Sequence, residues 1–383
     1  MNSTTNTVNP ELEPAVIDLD QALFSLVNGI NILDAVNPVN LAEQRQAFFD
    51  SKFSIEPNFQ YGEHGVDSFN IKRQLFCLNV DAVKDEDLRN LYIDVIESYV
   101  DKIDQFSAIG TSDFLYTSLR YYGEPSQKDI RNAHFLLHLS DDNSQEPLMD
   151  AESLKQHLEA FALEHGYEYQ IDVREGMIAN ALVSGSTVKV NQSAQVSRTE
   201  AEALAHHELG VHLLTTLNGR DQALKILNLG LPMNTMTQEG LAILCEYLSG
   251  NLTIKRLQKL ALRVLAVQSM IKERSFKQTF MFLMDQYGIT QNEAFSIVSR
   301  VYRGGGFTKD YVYLQGLQKM LLAYESESNF HYLFCGKTSI DYLPRLNRLI
   351  EKNIFTAPKR QPPALVHPAN EDAVLKFIAH AIK

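Results

Sequence analysis

The sequence predicts an α+β fold that is predominantly helical, with a small antiparallel sheet just before a histidine-bearing helix. Three observations carry this. Apolar residues recur at three-and-four spacing through most of the 383 residues, the period of helices with one buried face. One stretch, residues 167–191, alternates instead and is broken by small turn residues, as strands and hairpins are. The composition, 45% hydrophobic and 21% charged, is that of a folded globular chain.

Taken in order, residues 1–17 are rich in Asn, Ser and Thr and read as a flexible N-terminal tail. From Leu19, "DLDQALFSLVNGINILDAV" has helical spacing up to the break at Pro38. "NLAEQRQAFFDSKF" is a second helix, "EPNFQYGEHGVDSFN" a loop, and helices return at "DEDLRNLYIDVIESYVDKIDQFSAIG" and "DFLYTSLRYYGEP". Residues 18–145 thus form a helical N-terminal region, and "SDDNSQEPLMD" (Ser140 to Asp150) is the candidate linker. Residues 146–383 form a second region. It opens with the helix "AESLKQHLEAFALEHG", stopped by Gly166, and continues into the alternating segments "YEYQIDV" and "STVKVN". "SRTEAEALAHHELGVHLLTTLNG" begins with Ser197 and Glu200 at capping-box spacing and closes on Asn218-Gly219. "TQEGLAILCEYLSG" follows, with Thr237 as N-cap and Gly250 as stop. Helical patterns continue through "YLQGLQKMLLAYESES". A proline-rich segment, "TAPKRQPPALVHPAN", and a short last helix end the chain.

The bulk properties exclude several function classes. A net charge of −12 argues against nucleic acid as partner, since phosphate neutralisation needs a basic surface. We expect no membrane partner, because the reading finds no apolar run of the ~18–20 residues a spanning helix needs. The first residues lack the basic and apolar regions of a secretory signal. Three scattered cysteines, Cys77, Cys245 and Cys335, read as buried free thiols of a reducing compartment, so a cytoplasmic protein is expected. The oligomeric state is left open.

The chemistry centres on "AHHELGVH", residues 205–212. In HExxH, two histidines four residues apart share one helix face and can bind one Zn²⁺, with the adjacent glutamate as base. Here His207-Glu208 and His212 read HExxxH, which on an ideal helix sets the imidazoles about 140° apart. A π-bulge, which absorbs one extra residue, or a distortion near Gly210 would bring them together. Histidines on amphipathic helices are ordinarily solvated or hydrogen-bonded, so the spacing alone is weak. Glu239, in "QEGLA" early in the next long helix, supplies the third ligand a catalytic zinc requires, as in glutamate-ligand zincins. On its own, Glu239 would read as a first-turn glutamate facing the helix dipole. Glu246, on the same face, is an alternative ligand or a carboxylate that orients a histidine. His206 has the wrong orientation for a ligand and is assigned a supporting or structural role.

HExxxH followed by QEGLA resembles the bacterial family described as flavohemoglobin expression-modulating QEGLA motif proteins, whose animal members look like the tubulin tyrosine carboxypeptidases. "NPVN", "PNFQY", "YYGEP" and "RGGGFTKDYVYLQG" resemble further blocks of that family. The resemblance implies a zincin-like metallopeptidase core with one catalytic Zn²⁺. Its ligands would be His207, His212 and Glu239, with Glu208 the general base on a metal-activated water. The implied activity is a metallocarboxypeptidase acting on a peptide or protein C-terminus. Tubulin as substrate does not carry over, since nothing in the sequence reads a tubulin tail.

A carboxypeptidase must hold a terminal carboxylate, and arginine does so best. "VYRGGGFTKDYVY" offers Arg303 and Lys309 around three glycines, read here as letting backbone approach a ligand. Tyr302, Tyr311 and Tyr313 are candidate oxyanion donors, with Tyr313 the one assigned to substrate. The rival readings are a metal-dependent hydrolase of a non-peptide substrate and a non-catalytic regulatory protein that keeps a metal site.

Overall fold

The computed structural model describes residues 12–63, 65–140 and 146–383, and it is predominantly helical with small sheets. The N-terminal helices are α1 (Pro14–Val27), α2 (Ile32–Ala35), α3 (Leu41–Asp50), α4 (Ser68–Phe76), α5 (Glu86–Ser107), α6 (Phe114–Tyr122) and α7 (Gln127–Leu137). The centre of the chain holds β1 (Leu148–Met149), α8 (Ala151–Glu164), β2 (Gln170–Arg174), β3 (Ala181–Ser184), β4 (Thr187–Asn191) and β5 (Val196–Ser197). Then come α9 (Arg198–Leu204), a π-helical stretch Ala205–Leu213, α10 (Leu214–Arg220), α11 (Ile226–Leu229), α12 (Asn234–Leu248), α13 (Ile254–Glu273), α14 (Phe276–Tyr287) and α15 (Gln291–Tyr302). Two 3-10 turns lead into α16 (Val312–Ser326), and α17 (Leu343–Glu351), α18 (Pro363–Val366) and α19 (Ala373–Ala381) finish the chain.

Several local expectations shift. Helix α1 begins at Pro14, so residues 14–17 are helical; residues 1–11 of the expected tail lie outside the described residues, as do 141–145 of the expected linker. The single helix read up to Pro38 is broken after Val27, and Asn31 restarts it by accepting from the amides of Leu33 and Asp34. Asn218 and Gly219 do not stop their helix, which runs to Arg220. Asn218 instead donates to the carbonyls of Phe334 and Arg360, so it is a tertiary anchor rather than a cap. Thr237 lies inside α12, whose cap is Met233 in the left-handed region (φ 57°), and its hydroxyl accepts from the Ile340 amide.

The sheet before the histidine helix is mixed, not antiparallel. Its order is β2-β4-β3, with β3 antiparallel and β2 parallel to β4. Period-two alternation identifies a strand but not its neighbour. The link 175–180 carries the chain past the place β4 will take, so β4 inserts between its predecessors. β3 is thereby left as an edge strand. A two-residue pair, β1 with β5, is too short to show as alternation.

Helix α12 is at the centre of the main core, with Met236 to Leu248 all buried, which places Glu239 and Glu246 in the interior. It crosses α16 where Gly240 meets Gly316: a Cβ on either would run into backbone of the other helix. The glycine of QEGLA is a crossing residue. A second core joins α1 and α5 to α11 and α17 through Leu23, Tyr92, Leu227 and Leu349. A third, small core gathers Ile32, Ala35 and Val36 against Phe114, Tyr122 and Phe307. One stretch, Pro14–Ala35, is by length and composition apolar enough to cross a membrane (mean hydropathy 1.3), which corrects the sequence reading. Within it, buried Asp20 accepts from Tyr92 Oη and from the Lys225 and Ile226 amides.

Candidate functional site

The site is built on the π-helical stretch. The Ser197–Glu200 capping box forms as the spacing predicts and starts α9. At Ala205 the hydrogen bonding lengthens, and the Leu214 amide closes onto the Leu209 carbonyl, five residues back. A turn closed at five residues stacks positions five apart, so the HExxxH spacing brings His207 and His212 together, ring centroids 5.0 Å apart. The distortion spans Ala205–Leu213 rather than being hinged at Gly210. Gly210 has no positive φ, and a Cβ there would meet nothing closer than 3.8 Å.

Glu239 reaches this pair from α12, with Oε2 3.6 Å from Nε2 of both His207 and His212. One candidate ligand atom from each of the three lies within 4.8 Å of the other two. Two ligands each ~2.1 Å from a tetrahedral ion would stand ~3.4 Å apart, so these edges match a zinc-sized site. Two imidazoles and one carboxylate are also the donor set of many catalytic zinc sites. His207 donates from Nδ1 to Glu246 Oε1 (2.7 Å), which aims Nε2 toward the other two candidate ligands. Glu246 is fixed by Arg256, which donates from Nε (3.0 Å) and from its terminal nitrogen (2.9 Å). Of the two roles read for Glu246, the geometry gives the orienting one.

Glu208 sits beside His207 and is buried. Its Oε2 accepts from the Val183 amide on edge strand β3 (3.0 Å), and Oε1 is 3.9 Å from His207 Nε2. Burial raises its pKa, against the opposing pull of His207 and His212. For His207, burial disfavours charge, but its hydrogen bonds to Glu239 and Glu246 outweigh it and raise its pKa to about 10. Burial likewise works against ionised Glu246 and Glu239. Arg256 overcomes it and holds Glu246 at about 2, and Lys309 keeps Glu239 well below the usual carboxylate range. The pocket therefore concentrates carboxylate charge around two imidazoles, an arrangement a divalent cation would neutralise.

The proposed substrate residues divide. Lys309 is buried and lines the cavity, but its Nζ donates to Glu239 Oε1 (2.7 Å) and to Tyr313 Oη (2.9 Å). It holds the ligand rather than standing free for substrate. Arg303 also lines the cavity, buried beneath Phe307, with its guanidinium 5.0 Å from that ring. It donates over a long contact to Asn37 Oδ1 (3.3 Å), and its Nε has no partner among the described residues. Burial and neighbouring Arg300 lower its pKa to about 10. Tyr313 lines the cavity; Tyr302 and Tyr311 are spent on Thr279 and on the Tyr122 carbonyl. His206 points elsewhere, against the Phe161 ring (5.1 Å), and does not line the cavity. Its role is structural, because a neighbour one residue along a helix faces another side. The glycines at 304–306 face Phe114, Thr111 and Leu115 of the neighbouring helix region, not the cavity. Their freedom serves packing.

Sequence reasoning missed Arg256, Arg300, Asn37 and the Val183 amide. Asn37 opens the NPVN block but was given no role there, the others belong to no motif, and each arrives by tertiary packing. The cavity, which Asn37, Val183 and Arg300 help to line, has a volume of about 560 Å³ and includes His207, Glu208, His212 and Glu239 in its wall.

A family model described as microtubule-associated tyrosine carboxypeptidase matches residues 46–383. The chain belongs to this family. No curated protein matches it. Among solved structures, one described as a lipoprotein from Colwellia psychrerythraea is similar, at 12% identity and a TM-score of 0.37. The similarity covers 82% of this chain and 55% of that one, and carries no argument about function. All the ligand candidates, and Glu208, fall inside the span matched by the tyrosine carboxypeptidase family.

Proposed function

We propose that the protein is a zinc-dependent metallocarboxypeptidase with a zincin-like core, removing a C-terminal residue from a peptide or protein. The observation that carries it is the π-helical stretch, which converts an out-of-register HExxxH into a converging pair of imidazoles with Glu239 opposite. Membership of a family described as tyrosine carboxypeptidases supports a chain end as substrate. The QEGLA resemblance extends the same reading, since Gln238, Glu239 and Gly240 each have a place: Gln238 accepts from Thr215 (2.9 Å), Glu239 faces the histidines, and Gly240 makes the helix crossing.

His207, His212 and Glu239 would hold the ion, which supplies Lewis acidity and makes a water nucleophilic near neutral pH. Glu208, raised by burial and anchored to the Val183 amide, takes the proton of the attacking water and returns it to the leaving amine. Arg303, with Nε unpartnered at the cavity wall, pairs with the terminal carboxylate of the substrate. Lys309 and Tyr313 keep Glu239 in place. Burial of His207, Glu208 and Glu239 limits their contact with bulk water and strengthens each of these interactions.

The test is Glu208→Gln. The variant should bind zinc in the same stoichiometry as the parent and lose hydrolysis of free-C-terminal peptides by at least about a hundredfold. Undiminished hydrolysis would remove Glu208 from the mechanism. A folded parent that takes up no zinc under any loading condition would favour the non-catalytic alternative.

A further inference from the structure

One wall of the cavity comes from a segment that the family match does not cover. Residues 28–37 precede residue 46, where the family match begins, yet Asn31, Asp34 and Asn37 line the same cavity as the histidines. The segment is moored from beneath: Ile32, Ala35 and Val36 are buried in the small core with Phe114, Tyr122 and Phe307. Its outer side, at Leu33 and Asp34, is exposed. It is a wall one short helix thick.

Its two ends meet the two features a bound peptide would use. At one end it touches the tip of the β3–β4 hairpin. Lys189 donates to Asp34 Oδ1 (3.2 Å), Ser184 donates to Asp34 Oδ2 (3.3 Å), and Asn31 donates to Ser184 (3.4 Å). At the other end Asn37 accepts from Arg303 (3.3 Å). Strand β3 is an edge strand whose Leu182 and Ser184 face β4 in the ladder; Ala181 and Val183 point their backbone groups outward, and the Val183 amide already holds Glu208. An extended peptide adding to that edge would run along the cavity. Where it reached the hairpin tip and Arg303, the segment 28–37 stands across its path.

We infer that residues 28–37 form a specificity strap, latched to the hairpin by Asp34 and Lys189, which closes one end of the peptide cleft and restricts the enzyme to free chain termini. This rests on the peptidase reading above and adds what makes the peptidase an exopeptidase. The latch contacts are long and partly exposed, so each is weak; the mooring core keeps the strap in place and the latch closes the gap to the hairpin. Reversing the charge of Asp34 would set two cations against each other at that gap and open it.

The experiment uses zinc-loaded full-length protein and a randomised octapeptide library offered with free or amidated C-termini. The parent should cleave the free set and spare the amidated set. Asp34→Lys should lower the ratio of free to amidated cleavage by at least about tenfold, equivalent to ~1.4 kcal/mol. The charge-swapped pair Asp34→Lys with Lys189→Asp should restore it. A ratio in Asp34→Lys equal to the parent's overturns the strap while leaving the carboxypeptidase reading intact, and a parent that cleaves both sets alike overturns the strap together with the restriction to chain ends, leaving only a peptidase. A zinc-loaded parent that cleaves neither set overturns both. Binding of the two sets to zinc-loaded Glu208→Gln gives the same ratio without turnover, and only loss of discrimination in the added Asp34→Lys background agrees with the strap.

Discussion

His207 shows at the residue scale how one hydrogen bond decides what an imidazole offers to its neighbours. An imidazole has two nitrogens, and the hydrogen bond at one decides what the other offers. Glu246 takes Nδ1–H, Arg256 fixes Glu246 on both oxygens, and Nε2 is left aimed at His212 and Glu239. Replacing Glu246 by Gln keeps the shape but removes the charge that holds the tautomer. Zinc affinity, measured by competition with a chromophoric chelator, should fall about 10–100-fold, with the ligands themselves untouched. Equal affinity would show that Glu246 serves Arg256 alone. This residue was half legible in the sequence: its spacing from Glu239 marked the shared helix face, but the choice between ligand and orienting carboxylate depended on which atom came near which. Lys309 was misread for the same reason. A lysine beside a glycine loop offers a cation, and only packing reveals that Glu239 has claimed it.

At the scale of elements, the π-helical stretch and the α12–α16 crossing do the positioning, and the glycines in them differ in kind. Gly240 lies against the Gly316 backbone, which has nowhere to move, so Gly240→Ala should cost about 3 kcal/mol or prevent folding. Gly210 has room for a methyl group and ordinary helical φ, so Gly210→Ala should stabilise by up to ~1 kcal/mol and keep zinc. Thermal unfolding of the two variants separates them; equal losses would contradict the contact geometry. The distorted helix was legible as a requirement, because two histidines five apart cannot share an ion on a regular helix. Its extent was not, since a π turn is a matter of backbone bonding that Gly210 suggests without determining. Sheet order was illegible for a related reason. Alternation in "YEYQIDV" and "STVKVN" marks strands, whereas the parallel pairing of β2 with β4 depends on the path of the link between them.

The whole molecule is held by cores that mix the N-terminal and C-terminal regions, and charge clamps close their edges. Helices α5 and α17 are joined where Arg348 donates to both oxygens of Asp87 and Lys352 donates to Asp87 and Asp85. Hydrogen bonds from Arg348 and then Lys352 depress the Asp87 pKa. A carboxylate whose folded pKa lies below its unfolded value, about 3.9, contributes fully above that value and loses its contribution as pH falls through the folded one. Asp87→Asn should therefore flatten the acid side of the stability curve below about pH 4 and leave the neutral side parallel to the parent, as read by urea unfolding at a series of pH values. The pair is solvent-exposed, so the effect is small. The expectation of buried thiols holds at this scale for Cys245 and Cys335 and fails for Cys77, which is exposed.

The sequence by itself determined the helical class, the capping box at Ser197, and the candidacy of His207, Glu208, His212 and Glu239. Each of these depends on local spacing or on a motif whose chemistry fixes its residue types. Only the tertiary structure decided that the two histidines meet, that Lys309 guards Glu239 instead of a substrate, and that residues 28–37 wall the cavity. Those facts depend on which distant segments pack against α12 and the π-helical stretch, and the side chains involved carry no local signal of their destination.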